Sequence, residues 1–322
     1  MTIVPNGCSL RRPTDDDLPG IQRLLDAYES SLCGEPRASE DDIAAEANDP
    51  EADAEHNWWL VEGGGRGVGE AGAPAAFASL YWPPTCEGRG MVCVHPDHSH
   101  ETLAPPLFEL LEGRARELAR SAPADHAPAL IFVGQDGDRR RIELLTARGY
   151  RRVREGFTMR TDLSSGVAPP AWPPGLAIRD ARFGTDDRAL WLADQDAFSE
   201  HFLFHPQSFD AWRGWLSGHT GLDPHLWVVA WDGDEVAAQC IATPRGDAGL
   251  VDDLMVRKPW RGRGLGLALL REVFGRLHER GHDDVFLSVD AENATGAVRV
   301  YEKAGMHVWR RHGMFRLDLD RG

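Results

Sequence analysis

Apolar residues recur at two different spacings along this chain, and the switches between them mark out its elements. In the second half, residues 250–256 (Leu-Val-Asp-Asp-Leu-Met-Val) have strand character, whereas Leu265, Leu269, Leu270, Val273 and Leu277 fall at helical spacing until Gly281 closes the run. Upstream, residues 176–179 read as a strand and 187–198 and 207–216 as helices. Residues 226–231 and 236–243 read as a hairpin around Asp232-Gly233-Asp234. Downstream, residues 285–289 read as a strand, and Ala294, Ala297, Val298 and Tyr301 share one helical face behind Asn293, a residue type suited to a helix N-cap. The order is strand, two helices, three strands, helix, strand, helix and terminal strands.

The first half repeats it. Residues 9–12 read as a strand, 18–28 as a helix, and 58–61, 75–82 and 91–94 as strands; residues 94–108 can then be laid on 256–270 without a gap. Residues 139–148, followed by Gly149-Tyr150, stand where the helix before Gly305-Met306 stands. The chain reads as a tandem duplication. Residues 164–175 separate the copies with four prolines and two glycines, which cannot extend a helix or a central strand. The expected division is a first domain at 1–163, a linker at 164–175 and a second domain at 176–322.

Composition agrees with two domains, because 322 residues at 42% hydrophobic suffice for two cores. Cysteines at 8, 33, 86, 93 and 240 are odd in number and form no Cys-x-x-Cys pair, which suggests neither a zinc knuckle nor a disulfide framework and fits a reducing cytoplasm. Residues 1–12 lack a basic segment followed by an apolar run, and no stretch reaches membrane-spanning length, so a soluble cytoplasmic protein is expected. A formal charge of −16 argues against nucleic-acid and anionic-membrane partners, which need a basic face. It suits a cationic acceptor and serves plain solubility equally well.

The candidate chemistry begins between residues 256 and 266. Gly262, Gly264 and Gly266 join a strand to a helix, leaving a bare backbone at a helix start where free N–H groups and the helix dipole favour a phosphate. Arg261 and Arg263 add charged donors. A nucleotide P-loop would end in Gly-Lys-Ser/Thr, which is missing, and the spacing is compressed relative to G-x-G-x-x-G. In the first copy the aligned positions hold Ser99, His100, Thr102 and Ala104, and Leu145 stands in place of Tyr301. That copy reads as degenerate and non-catalytic, with structural retention of the same phosphate-bearing ligand as the alternative.

The segment from Arg261 to Gly266 resembles the pyrophosphate loop R/Q-x-x-G-x-G/A of the GNAT N-acetyltransferases. The stretch Asn293-Ala-Thr-Gly-Ala-Val-Arg-Val-Tyr301-Glu-Lys-Ala-Gly305-Met306 resembles the signature N-x-x-A-x-x-x-Y-E-K-x-G-F of that family. The tandem arrangement is similar to that of the mycothiol synthases within it. The resemblance implies an α+β fold of two tandem domains, each a twisted mixed sheet flanked by helices, with acetyl-CoA as cosubstrate in the second. It implies cofactor contacts from Leu254, Met255, Val256, Arg261, Gly262, Arg263, Gly264, Leu265, Gly266 and Asn293, and a general-acid role for Tyr301.

A strand carboxylate, Asp252 or Asp253, is then the candidate base. Alternation is expected to send these two to opposite faces, and the family position that is usually acidic matches Asp252. The resemblance also places Glu200, His201 and His205 near an acceptor pocket. His201 and His205 stand four apart, but no third ligand accompanies them, and the cluster His95, His98 and His100 falls on the drifted loop, so no metal is expected. The function expected is acetyl transfer to a primary amine of a small molecule; a non-catalytic acyl-CoA-sensing module is the alternative.

Overall fold

The computed structural model describes residues 7–34, 43, 47, 52–63, 73–199, 204, 206–218, 222–292 and 296–320. Two compact units divide the chain: residues 1–155 with 312–322, and residues 156–311. Their limits differ from the expected division at 163 and 176, because the two long strands β6 (Arg151–Asp162) and β12 (His307–Asp318) each cross a boundary. Residues 156–162 of β6 pair with β11 (Asp284–Asp290) in the second unit, and residues 312–318 of β12 pair with β5 (Ala129–Gln135) in the first. Residues 164–175 lie within the second unit, where Val167 and Trp172 pack on its core.

The first unit runs β1 (Ser9–Arg11), α1 (Leu18–Cys33), β2 (Trp58–Glu62), β3 (Pro74–Tyr81), β4 (Glu87–Val94), α2 (His100–Ala119), β5 and α3 (Arg139–Ala147). The second runs β7 (Ala177–Asp180), α4 (Asp187–Phe198), α5 (Phe209–Gly218), β8 (Trp227–Asp232), β9 (Glu235–Arg245), β10 (Ala248–Val256), α6 (Leu265–His278), β11 and α7 (Ala297–Lys303). Corresponding strands pair alike. Four successive strands are antiparallel neighbours in each unit, and the fourth then lies parallel to the fifth: β4 beside β5, and β10 beside β11. The α+β fold of mixed sheets flanked by helices follows.

The duplication shows in detail at the ends of α3 and α7. Gly149 and Gly305 are both left-handed, at φ 89° and 98°, and the next amides, of Tyr150 and Met306, return to Leu145 O and Tyr301 O at 3.0 Å each. These are matching glycine helix stops 156 residues apart, at 149 and 305.

Apolar faces cover each sheet. In the second unit, α6 buries Leu269, Leu270, Val273 and Phe274 on one face, together with Val228, Ala238 and Val285, while α4 and α5 bury Leu190 and Trp212 on the other against Trp227 and Val229. Side chains buried this fully contribute roughly 1.5–3 kcal/mol each, which makes the sheet between them a stiff floor for a site. Among the described residues no helix is long and apolar enough to cross a membrane.

Candidate active site

The site of the second unit is a wedge opened by its topology. β10 pairs with β11 only at Ala248, Gly249 and Leu250, whereas its other edge stays paired with β9 as far as Val256. Beyond Leu250 the two parallel strands therefore separate. A cleft of about 490 Å³ occupies the region, lined by residues 251–256 of β10, by Leu287 to Asp290 of β11, by the glycine loop and by Ala297, Val300 and Tyr301 of α7.

The loop is built as its glycines require. Gly262 and Gly264 hold φ of 75° and 86°, and Gly264 is the N-cap of α6 with no side chain capping the helix. A Cβ at Gly264 would meet nothing within 4 Å, so backbone conformation and not protein crowding demands glycine there. At Gly266 a Cβ would touch Val300 at 3.5 Å and Val256 at 3.7 Å, an ordinary fit that would take space from the cleft instead of straining the protein. A bare helix N-terminus over an open cleft fits the phosphates of acetyl-CoA. Arg261 lines the cleft and ties the loop to the strand, its Nε donating to Val256 O at 2.9 Å. Arg263 is not among the lining residues; its Nη2 donates to Pro259 O at 3.0 Å.

The two aspartates do not alternate. Val251 stands opposite Ala242 and Asp253 opposite Ile241, so Asp252 is the extra residue of a β-bulge. The opposite-face expectation fails for that reason, and both residues line the same cleft. Their surroundings differ. Asp252 is exposed, accepts a hydrogen bond from Thr243 Oγ1 at 2.8 Å and lies 3.9 Å from Arg245 Nη2.

Asp253 accepts from Gln239 Nε2 at 3.1 Å on Oδ2, while its Oδ1 is shut off from solvent with no hydrogen-bond partner among the described residues. Burial, reinforced by Asp194 and opposed by Gln239, pushes the Asp253 carboxyl up to about 8. Asp194, on α4, is itself pushed up to about 6 by burial.

Tyr301 is 7% exposed, and burial raises its phenol, with the neighbouring Cys240 and Asp253 acting in the same direction. It therefore keeps its proton at neutral pH. One cleft thus holds a carboxyl that ionises near 8 and a phenol that stays protonated, a pair suited to opposite proton transfers.

Of the other residues singled out in the sequence, Leu254, Met255, Val256, Gly262, Gly264, Leu265 and Gly266 all line the cleft. Asn293, Glu200, His201 and His205 lie outside the described residues. Among the described residues no group of three His, Cys, Asp or Glu side chains is placed to hold a metal ion. Three residues at or near the cleft carried no assignment in the sequence: Lys303, which lines it, Asp194, which acts on Asp253, and Gln239, buried against the core tryptophan Trp227. Gln239 had a signal in the sequence, a lone amide within the apolar run Val-Ala-Ala-Gln-Cys-Ile.

The first unit has the same wedge, filled differently. β4 pairs with β5 only at Glu87, Gly88 and Arg89, and beyond them Arg141 of α3 bridges the strands, donating to Val92 O on β4 and, at 3.4 Å, to Val133 O on β5. The guanidinium lies 3.4 Å from Asp138 and 4.8 Å from the Tyr28 ring, and the Tyr28 hydroxyl donates to Asp138. The position 156 residues after Arg141 is Ala297, which lines the cleft of the second unit.

Comparison with known proteins agrees with this geometry. The Acetyltransferase (GNAT) family profile matches residues 188–306. A mycothiol acetyltransferase of Salinispora arenicola is 30% identical over 255 residues, covering 75% of this chain and 77% of that protein. The crystal structure of a GCN5-related N-acetyltransferase from Sphaerobacter thermophilus is 30% identical, with a TM-score of 0.84 over 98% of this chain and 97% of that one. A tandem GNAT protein from the clavulanic acid biosynthesis pathway shares the fold at 18% identity, with a TM-score of 0.68 over 98% and 99% of the two chains.

The chain belongs to the GNAT family of acetyltransferases. Within that family it is a tandem, mycothiol synthase-like protein and an acetyl-CoA-dependent N-acetyltransferase.

Proposed function

We propose that the second unit transfers the acetyl group of acetyl-CoA to a primary amine of a small molecule, and that the first unit performs no turnover. The name of the Salinispora relative makes a mycothiol-related amine the first acceptor to test. The observation that carries the reading is the meeting of Asp253, Tyr301 and the uncapped start of α6 in one cleft at the end of a parallel ladder.

Acetyl-CoA supplies an activated thioester when bound. The loop from Gly262 to Gly266 and the α6 N-terminus hold its phosphates, while Leu254, Met255 and Val256 lie past the last β10–β11 pair, where the strand edge is open to backbone hydrogen bonding. Asp253 takes a proton from the acceptor amine, whose nitrogen forms the new bond to the acyl carbon. As the carbon–sulfur bond breaks, Tyr301 gives its proton to the sulfur; the proton held by Asp253 then passes to solvent and the Tyr301 phenolate regains one from solvent, so that no net proton is gained or lost. Asp253 acts as a base only when ionised, so the rate should climb with pH through about 8. Asp252, held by Thr243 and Arg245, is assigned to acceptor positioning. A binding-only module would have no use for two proton carriers whose protons are held this tightly.

In the first unit Arg141 stands between the strands where a cofactor arm would lie, which supports one acetyl-CoA per chain. The test is a screen of amine acceptors by CoA release, followed by kinetics of Tyr301→Phe and Asp253→Asn with the best one. Turnover should fall by about 10²–10⁴-fold in each with acetyl-CoA affinity kept. Undiminished rates in both variants would sink the assignment.

A further inference from the structure

Gln239 and Trp227 lie behind Asp253, do not line the cleft, and are both buried to 1% exposure. The indole Nε1 of Trp227 donates to Gln239 Oε1 at 3.1 Å, and Gln239 Nε2 reaches Asp253 Oδ2 at 3.1 Å. An indole nitrogen can only donate. The amide must therefore turn its oxygen to Trp227 and its N–H to Asp253, so chemistry settles an orientation that a glutamine by itself leaves open.

We propose that Trp227 and Gln239 form a positioning relay that occupies Asp253 Oδ2 as a permanent acceptor and leaves Oδ1 as the oxygen on which the carboxyl proton resides. The inference rests on the reading of Asp253 as the base. A proton on Oδ2 would face the Gln239 N–H head-on, donor against donor, whereas Oδ1 accepts nothing from the described residues. The same N–H also favours the ionised form and opposes the burial that holds Asp253 protonated.

The other titratable groups around Asp253 do not perform this task. Asp194 on α4 and Asp252 on β10 oppose its ionisation. Cys240 on β9 and Tyr301 on α7 are both raised by burial and stay uncharged near neutral pH. Beside the backbone N–H of Leu254, Gln239 is the side chain that favours the carboxylate, and Trp227 fixes its direction.

Gln239→Met keeps length and volume while deleting the donor, and Trp227→Phe deletes the indole N–H and frees the amide to rotate. Each, in the full chain, should move the acidic limb of the pH–rate profile upward, by roughly one pH unit for Gln239→Met, with KM for acetyl-CoA unchanged. The rate near pH 7 then drops by about tenfold and recovers at alkaline pH. Adding Trp227→Phe to Gln239→Met should move the limb no further, because the amide it directs has gone. A carbon-13 titration of the aspartate carboxyls, with Asp253→Asn to assign the signal, follows the same shift without turnover.

Variants that lose rate equally at every pH, or leave the limb and the carboxyl signal in place, would overturn the relay. The underlying reading fails separately: Asp253→Asn would then keep the unaltered protein's profile. If Gln239→Met does not fold, Trp227→Phe alone still decides the question.

Discussion

Replacing Asp253 by asparagine should stabilise the protein, and increasingly so as pH rises from about 4 to about 8. In the folded chain this carboxyl keeps its proton up to about 8, against an ordinary value of 3.8. Between those limits the folded state binds a proton that the unfolded state has lost, so native stability falls by about 1.4 kcal/mol per pH unit, and above the folded value the loss levels off. A window of about four pH units sets a ceiling on the order of 6 kcal/mol. Relaxation around the charge will take most of it, leaving an expected gain of about 1–2 kcal/mol at pH 8.

Asparagine suits the site because it keeps an acceptor for Gln239 and puts an NH₂ where the protonated acid carries its O–H. For a unit of this size each kcal/mol moves Tm by about 2–4 °C. Thermal melts of both proteins from pH 4.5 to 9 should show Tm values that coincide at the acid end and separate by about 2–8 °C at pH 8. Groups away from the cleft titrate alike in the two, so their difference isolates this carboxyl together with its coupling to Asp194 and Asp252. A difference that does not change with pH, or a variant less stable at pH 8, would refute the account of Asp253 as a carboxyl protonated by burial.

Two further outcomes test the two wedges. Gly264→Val forces a β-branched residue into φ 86° at the bare start of α6, and acetyl-CoA affinity should fall at least tenfold by calorimetry while the fold persists; unchanged affinity would remove the loop from the cofactor site. The unaltered chain should bind close to one acetyl-CoA by the same method, and Arg141→Ala, which strands buried Asp138 beside half-buried Tyr28, should lower stability by about 3–5 kcal/mol; a stoichiometry of two would refute the closed first wedge.

Legibility from sequence followed the range of the forces involved. The glycine loop and the α7 signature could be read because a backbone that must stay bare, or turn left-handed at Gly264, restricts residue identity position by position. Helices 187–198 and 265–278 were visible for a similar reason, since an amphipathic face is a local periodicity. How Asp252 and Asp253 are disposed about the strand was not visible. It hangs on one unpaired residue in the β9–β10 ladder, and a bulge inverts every alternation argument beyond it without leaving a mark in a two-residue run of aspartates. The exchange of β6 and β12 between units was hidden too, because strand character does not say which neighbour a strand will take.

The two wedges separate what the fold provides from what the side chains add. In both units a parallel pair ends after three residues and its strands part, so the opening itself comes with the topology. An opening between strands leaves polar backbone without a ladder, and those groups need a partner. In the first unit Arg141 meets that need from within, its guanidinium reaching a carbonyl on either strand and held by Asp138. In the second, Ala297 stands at the matching position, is too short to reach, and lines the cleft. On the proposed reading the substitution works in both directions: an arginine that satisfies the wedge removes the reason to bind acetyl-CoA, and a small residue restores it. On this argument loss of the glycine loop from the first unit is the lesser change, because restoring glycines at Ser99 to Ala104 would rebuild a phosphate cradle while Arg141 still closed the strands behind it.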